Sequence, residues 1–200
     1  VDTLQSDLAD RVAALATTRK FPLHPFQLAQ VQLKLATRDY QGANALAGLA
    51  LGGDLSGQEY AAALLNALRA VALLGLGENT RAQGLLASFH DVTRVRVSDA
   101  LLLTRQLKAM NQPAEARRML ARAVHADPFN QPALAELIRL DAESGDRSAV
   151  AQNLPTLLAM RKHSRAVLED VLRHLNLPGD EALRAQIQAA LARPTTAGIP

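Results

Sequence analysis

Apolar residues return every three or four positions along most of the chain, and polar residues fill the positions between. Leu4, Leu8, Val12 and Leu15 fall on one stripe, with Asp and Arg on the other side, the spacing of a helix with one buried face. Phe21-Pro22-Leu23-His24-Pro25 breaks the pattern, because two prolines this close do not continue a helix. Helical spacing resumes over Phe26–Thr37 and over Gln41–Leu51, where Gly52-Gly53 supplies a stop. Ser56 with Glu59 reads as a capping box opening a long helix that Leu76-Gly77 ends. Thr80–Phe89 follows, then a helix capped by Ser98 and running to Met110. Pro113 starts another, which stops near Asp127-Pro128. Asn130, with Pro132 in the first turn, caps a helix that ends before Gly145. Ser148–Met160 is helical in pattern, but Pro155 predicts a kink or a late start. Ser164 caps a helix to Leu175, and Pro178-Gly179-Asp180 opens the last one, to Ala192. The tail Pro194–Pro200 has no periodicity and is expected to be loose. About eleven helices and no sheet are expected, because no segment sustains period-two alternation.

The loops leading into alternate helices align. Arg38-Asp39-Tyr40-Gln41-Gly42-Ala43, Gly77-Glu78-Asn79-Thr80-Arg81-Ala82, Asn111-Gln112-Pro113-Ala114-Glu115-Ala116 and Gly145-Asp146-Arg147-Ser148-Ala149-Val150 are four such units, with final residues 39, 34 and 34 apart. Ala116, Leu120 and Ala123 place a small, a bulky and a small residue on one helix face, and Pro128 follows. Ala82, Leu86, Phe89, then Ala43, Ala47, Ala50, and Val150, Leu154, Leu157 repeat the spacing with other sizes. This pattern resembles the tetratricopeptide repeat, a 34-residue helix hairpin. The resemblance is specific over residues 97–130 and loose elsewhere. In the first helices the motif's aromatic is replaced by Gln27, Asn66, Ala100 and Leu134. Ala70 and Thr104 fit its small eighth position, and Ile138 does not. The resemblance implies a right-handed, all-α stack of antiparallel hairpins. Its divisions would be a capping helix and Pro-containing loop over 1–23, four repeats over 24–162, a degenerate or capping helix pair over 163–193, and a tail over 194–200. A nonrepeating helical bundle is the alternative.

Composition supports the helices. Hydrophobic residues make up 48% of 200 residues while aromatics are 3%, so the apolar mass is Leu and Ala, which favour helix over strand. Net charge is +3, from 22 basic and 19 acidic groups, too balanced to favour nucleic acid despite a pI near 9.7. With no cysteine, disulfides and thiolate chemistry are excluded. No apolar run is long enough for a membrane span. The start at Val1 without Met suggests a piece of a longer protein, and the Ala/Leu/Arg-rich composition suggests a bacterial one. Compartment, cytoplasmic or periplasmic, and oligomeric state stay open.

Chemistry finds little purchase. His24, His90, His125, His163 and His174 lie near helix ends with no i, i+4 pairing and no His-Glu-x-x-His. Gly75-Leu76-Gly77 is a helix stop rather than a nucleotide loop, since no strand precedes it. Neither a phosphate-cradling loop nor a nucleophile elbow is present. Glu169-Asp170 point apart on a helix. The chain is therefore expected to be noncatalytic, without metal or cofactor. The resemblance implies a protein-binding groove along the first helices of the repeats. Its expected lining is Leu28, Gln32 and Leu35, then Ala67, Val71 and Leu74, then Leu101, Arg105 and Lys108, and last Ala135 and Arg139. That groove would be apolar toward the N-terminal end and basic toward the other, suiting a peptide or protein segment with apolar and acidic parts. The Lys and Asn clamp of chaperone-tail binders is missing at Leu28, Gln32, Ala67 and Val71. Arg161-Lys162-His163 with Arg165, Arg173 and His174 forms a second basic cluster, read as helix-end and i, i+4 charges. The alternative function is a regulatory or accessory domain of an enzyme whose catalytic part lies outside this sequence.

Overall fold

A computed structural model of the chain describes residues 24–53, 55, 58–90, 95–160, 165–176 and 178–192. The expected first helix at Leu4–Leu15, Ser56, Ser164 and the tail lie outside the described residues. Among those described the chain is all-helical, with ten helices and no strand. They are α1 (His24–Ala36), α2 (Tyr40–Leu51), α3 (Glu59–Gly75), α4 (Asn79–His90) and α5 (Val97–Ala109), followed by α6 (Pro113–Ala126), α7 (Gln131–Glu143), α8 (Arg147–Ala159), α9 (Arg165–His174) and α10 (Glu181–Ala192). From α4 onward the starts fall on a fixed period. Val97, Gln131 and Arg165 open alternate helices 34 residues apart, as do Asn79, Pro113, Arg147 and Glu181.

The turns explain this regularity. Arg38 (φ 60°), Gly77 (81°), Asn111 (56°), Gly145 (74°) and Gly179 (97°) all adopt left-handed backbone, and the last four stand 34 apart in sequence. Such a residue ends a helix by turning the next N–H back onto an orphan carbonyl. Asp39 N–H reaches Lys34 O at 2.8 Å, Glu78 reaches Leu73 at 2.9 Å, Gln112 reaches Leu107 at 2.8 Å and Asp146 reaches Asp141 at 2.8 Å. The same residue opens the following helix. Asp39 Oδ1 accepts from Gly42 N–H at 2.9 Å, and Asp146 Oδ1 accepts from Ala149 N–H at 3.1 Å. Stop and start are thus packed into three residues.

Three sequence expectations shift in detail. Gln58, not Ser56, precedes α3, and its side chain makes no cap bond. Ser98 lies inside the first turn of α5, which begins at Val97. Pro155 neither delays nor interrupts α8, which starts at Arg147 and runs through it. There the Asp146 cap and the burial of Val150, Leu154 and Leu157 outweigh the missing backbone bond.

Two compact units make up the chain, Val1–Thr93 with Arg105–Gln112, and Arg94–Thr104 with Pro113–Pro200. In the first, α1 packs on α2, α2 on α3, α3 on α4, and α1 also on α3. In the second, α6 packs on α7, α7 on α8 and α9 on α10, while α7 meets α9 and α8 meets α10. Packing within each unit thus runs between successive helices or between a helix and the next but one.

The cores are built on the expected spacing. Ala43, Ala47, Ala50, Ala82, Leu86, Phe89, Ala116, Leu120, Ala123, Val150, Leu154 and Leu157 are each at most 2% exposed. The eighth positions Ala70, Thr104 and Ile138 are fully buried as well, and the Thr104 hydroxyl donates to Ala116 O at 3.4 Å. Small side chains let paired helices approach, and bulky ones fill the space beside them. Elsewhere the tight fit uses glycine. A Cβ on Gly75 would lie 2.5 Å from Cγ of the Tyr40 ring. The last hairpin departs from the pattern: Arg184 stands where Ala116 and Val150 stand in earlier units, and its guanidinium donates to Leu175 O at the end of α9. The inward face of α10 is instead Leu183, Ile187 and Ala190.

Candidate functional site

The second unit carries a groove between α7 and α9. Asn130 Oδ1 accepts from Ala133 N–H at 3.3 Å and so sets the start of α7. The period of α7 then turns Leu134, Leu137 and Ile138 inward and leaves Pro132, Ala135, Glu136 and Arg139 along one side. Helix α9 buries Leu168 and Val171 and offers Ala166, Val167, Asp170 and Arg173 beside them. These residues line a groove of about 380 Å³, within the usual range for a ligand or peptide-anchor site.

One end of the groove is apolar and the other charged. Pro132, Ala135, Ala166 and Val167 supply the apolar end. At the charged end Arg139 donates through Nε to Glu136 at 2.9 Å and also through Nη2 to the same carboxylate. Its Nη1 lies 3.4 Å from Glu143 and its Nε 3.9 Å from Asp170. The hydrogen bond to Glu136, against the opposing effect of burial, raises the Arg139 pKa above its ordinary value, with Glu136, Glu143 and Asp170 adding to the field. Arg173 bonds Asp170 at 2.7 Å. His174 Nδ1 sits 2.9 Å from Asp170 O and Nε2 3.4 Å from Glu143.

Of the residues expected from sequence to line a groove, Ala135 and Arg139 meet here. Leu35, Ala67 and Val71 are at most 3% exposed and are core residues instead. They face the core of the first unit, where α3 packs against α2, α4 and α1. Leu28, Gln32, Leu74, Leu101 and Lys108 are half-buried and Arg105 is exposed. The expected basic end is a mixed one, because Arg139 is surrounded by carboxylates from its own helix and from α9.

The α9 wall was missed in the sequence, although its signal was present. Arg105, Arg139 and Arg173 are 34 residues apart, each the ninth residue of its helix. The same shift pairs Glu136 with Asp170. Extending the repeat by one unit would have moved Arg173 from the second basic cluster into the groove.

Elsewhere the chemistry is sparse. No group of three or more His, Cys, Asp or Glu residues able to hold a metal occurs among the described residues. His125 lies exposed in the last turn of α6. None of the described helices is long and apolar enough to cross a membrane. No protein-family model, curated protein or solved structure matches the chain.

Proposed function

We propose that this chain is a tetratricopeptide-like, right-handed helical-hairpin solenoid that acts as a noncatalytic scaffold, holding a peptide or protein segment in the α7–α9 groove. The groove itself carries the reading: two helices in corresponding positions of successive 34-residue units expose matching side chains, with an apolar floor beside a charged end. The buried small–bulky spacing in the alternate helices supports the solenoid. A segment suited to this surface presents apolar anchors first and polar or charged groups after them. Because Arg139 and Arg173 already engage carboxylates, the apolar floor supplies most of the affinity, and the charges select register and orientation.

Selection of a random displayed-peptide library on the immobilised chain tests this. Enriched peptides are then measured by fluorescence polarisation against wild type and Ala166→Arg. Ala166 is exposed, so the arginine fills the groove without entering the core. Affinity is expected to fall at least about tenfold, the loss of one good apolar contact set. Failure to enrich any peptide, or equal affinity for both proteins, would overturn the proposal.

A further inference from the structure

Asp141 is a buried charge that the groove does not use. It lies on α7, on the side away from Ala135 and Arg139, and is 0% exposed. Residues 34 before it, 68 before it and 34 after it are Leu107, Leu73 and Leu175, each at most 1% exposed. A carboxylate therefore occupies a place that the other units fill with leucine. Arg117 of α6 reaches across to it through Nε. The same guanidinium holds Asp146 in the α7–α8 turn, Nη2 to Oδ2 at 3.1 Å. The second Asp141 oxygen, Oδ2, is buried without a hydrogen bond.

We propose that Arg117, Asp141 and Asp146 form a pH-dependent clamp on the junction of α6, α7 and α8. With Asp141 charged, Arg117 is drawn inward and ties the three elements together. With Asp141 protonated, the buried pair is gone, and Arg117, whose side chain is already 40% exposed, is left to Asp146 and water. Because α7 is also one wall of the groove, the clamp sets how firmly that wall is held.

The surroundings fix the sense of the switch. Burial raises the Asp141 pKa, and the hydrogen bond and charge of Arg117 oppose it without cancelling it. Asp146 pushes the same way as burial, and the neutral Asn153 of α8 pulls weakly the other way. Helix α9 turns the apolar Leu168 and Val171 inward. A carboxyl whose folded pKa is raised gains protons on folding in the window between its ordinary 3.8 and the raised value. In that window the contribution of Asp141 to stability improves as pH falls. Above it, the charged form is present and Arg117 is required.

The test is a set of thermal melts of the whole chain, followed by far-UV circular dichroism, from about pH 4, near the ordinary carboxyl value, up to about pH 8. Arg117→Met is expected to lower the midpoint by on the order of 10 °C at the upper end, where it strands a buried charge. The loss should shrink toward the lower end. Asp141→Asn imitates the protonated side chain, so Arg117→Met in that background should have a small effect at every pH. Asp141→Leu should melt above wild type at high pH, with the gap narrowing as pH falls. A constant Arg117→Met effect across the range, or an undiminished one in the Asn background, would overturn the clamp. If Arg117→Met fails to fold, the pH dependence of wild type minus Asp141→Leu decides the matter alone.

Discussion

Gly77 offers a clean test of what holds the hairpins in register. It sits at φ 81° in the turn between α3 and α4, and a Cβ built on it meets nothing within 4 Å. Gly77→Ala therefore changes backbone energy and no packing. An L-residue in left-handed backbone costs about 1–2 kcal/mol. Alanine recovers roughly 0.4–1 kcal/mol by restricting the unfolded chain. The net loss should be about 1 kcal/mol, or a midpoint lower by roughly 2–4 °C for a chain of this size. Arg38, at φ 60° in the corresponding earlier turn, is the reverse experiment. Arg38→Gly relieves the strain, though glycine's added freedom in the unfolded state takes back about half of the gain. A rise of about 0.5–1 kcal/mol is expected by the same difference. Urea unfolding followed by far-UV circular dichroism reads both variants. A Gly77→Ala protein as stable as wild type, or an Arg38→Gly protein less stable, would show that these turns do not limit stability and would refute the reasoning.

Two further outcomes follow from single contacts. Gly75→Ala drives a methyl into the Tyr40 ring and should destabilise by about 1–3 kcal/mol, the usual penalty for overpacking; the loss should shrink when Tyr40→Leu is combined with it, as a double-mutant cycle would measure. Asp39 is held below its ordinary carboxyl pKa of 3.8 first by the Gly42 N–H and then by Lys34. A depressed folded pKa gives stability that is present above 3.8 and is lost as pH falls through the folded value. Asp39→Ala should thus cost about 1 kcal/mol near neutrality and progressively less in acid denaturation series below the ordinary carboxyl pKa.

Much of the helical layout was legible because its punctuation is chemical. Gly77, Asn111 and Gly145 precede Glu78, Gln112 and Asp146, a stop followed by a start, and the buried faces behind them follow the 3.6-residue period. The fifth turn, Pro178-Gly179-Asp180, reads as a helix start within a degenerate or capping pair, and Arg184 stands there in place of the small residue that marks the second and third units. What did not show was which faces close. Ala67 and Val71 occupy groove spacing, yet both are fully buried on α3, which packs against α2, α4 and α1, and such burial depends on where neighbouring helices settle rather than on either sequence alone. The balance of charge around Arg139 was hidden for a similar reason. Asp170 comes from the following unit, and proximity across 31 residues is invisible until α9 is in place.

The packing of described helices on a successor or on the next but one has a kinetic consequence. Contacts of this kind close short loops, so little chain entropy is lost before packing repays it. Low contact order of this kind goes with fast folding. Assembly can begin at any sound hairpin and spread outward, one neighbour at a time. Damage should spread the same way, so that amide exchange in a variant such as Gly75→Ala quickens in α2 and α3 while α7 to α10 keep their protection.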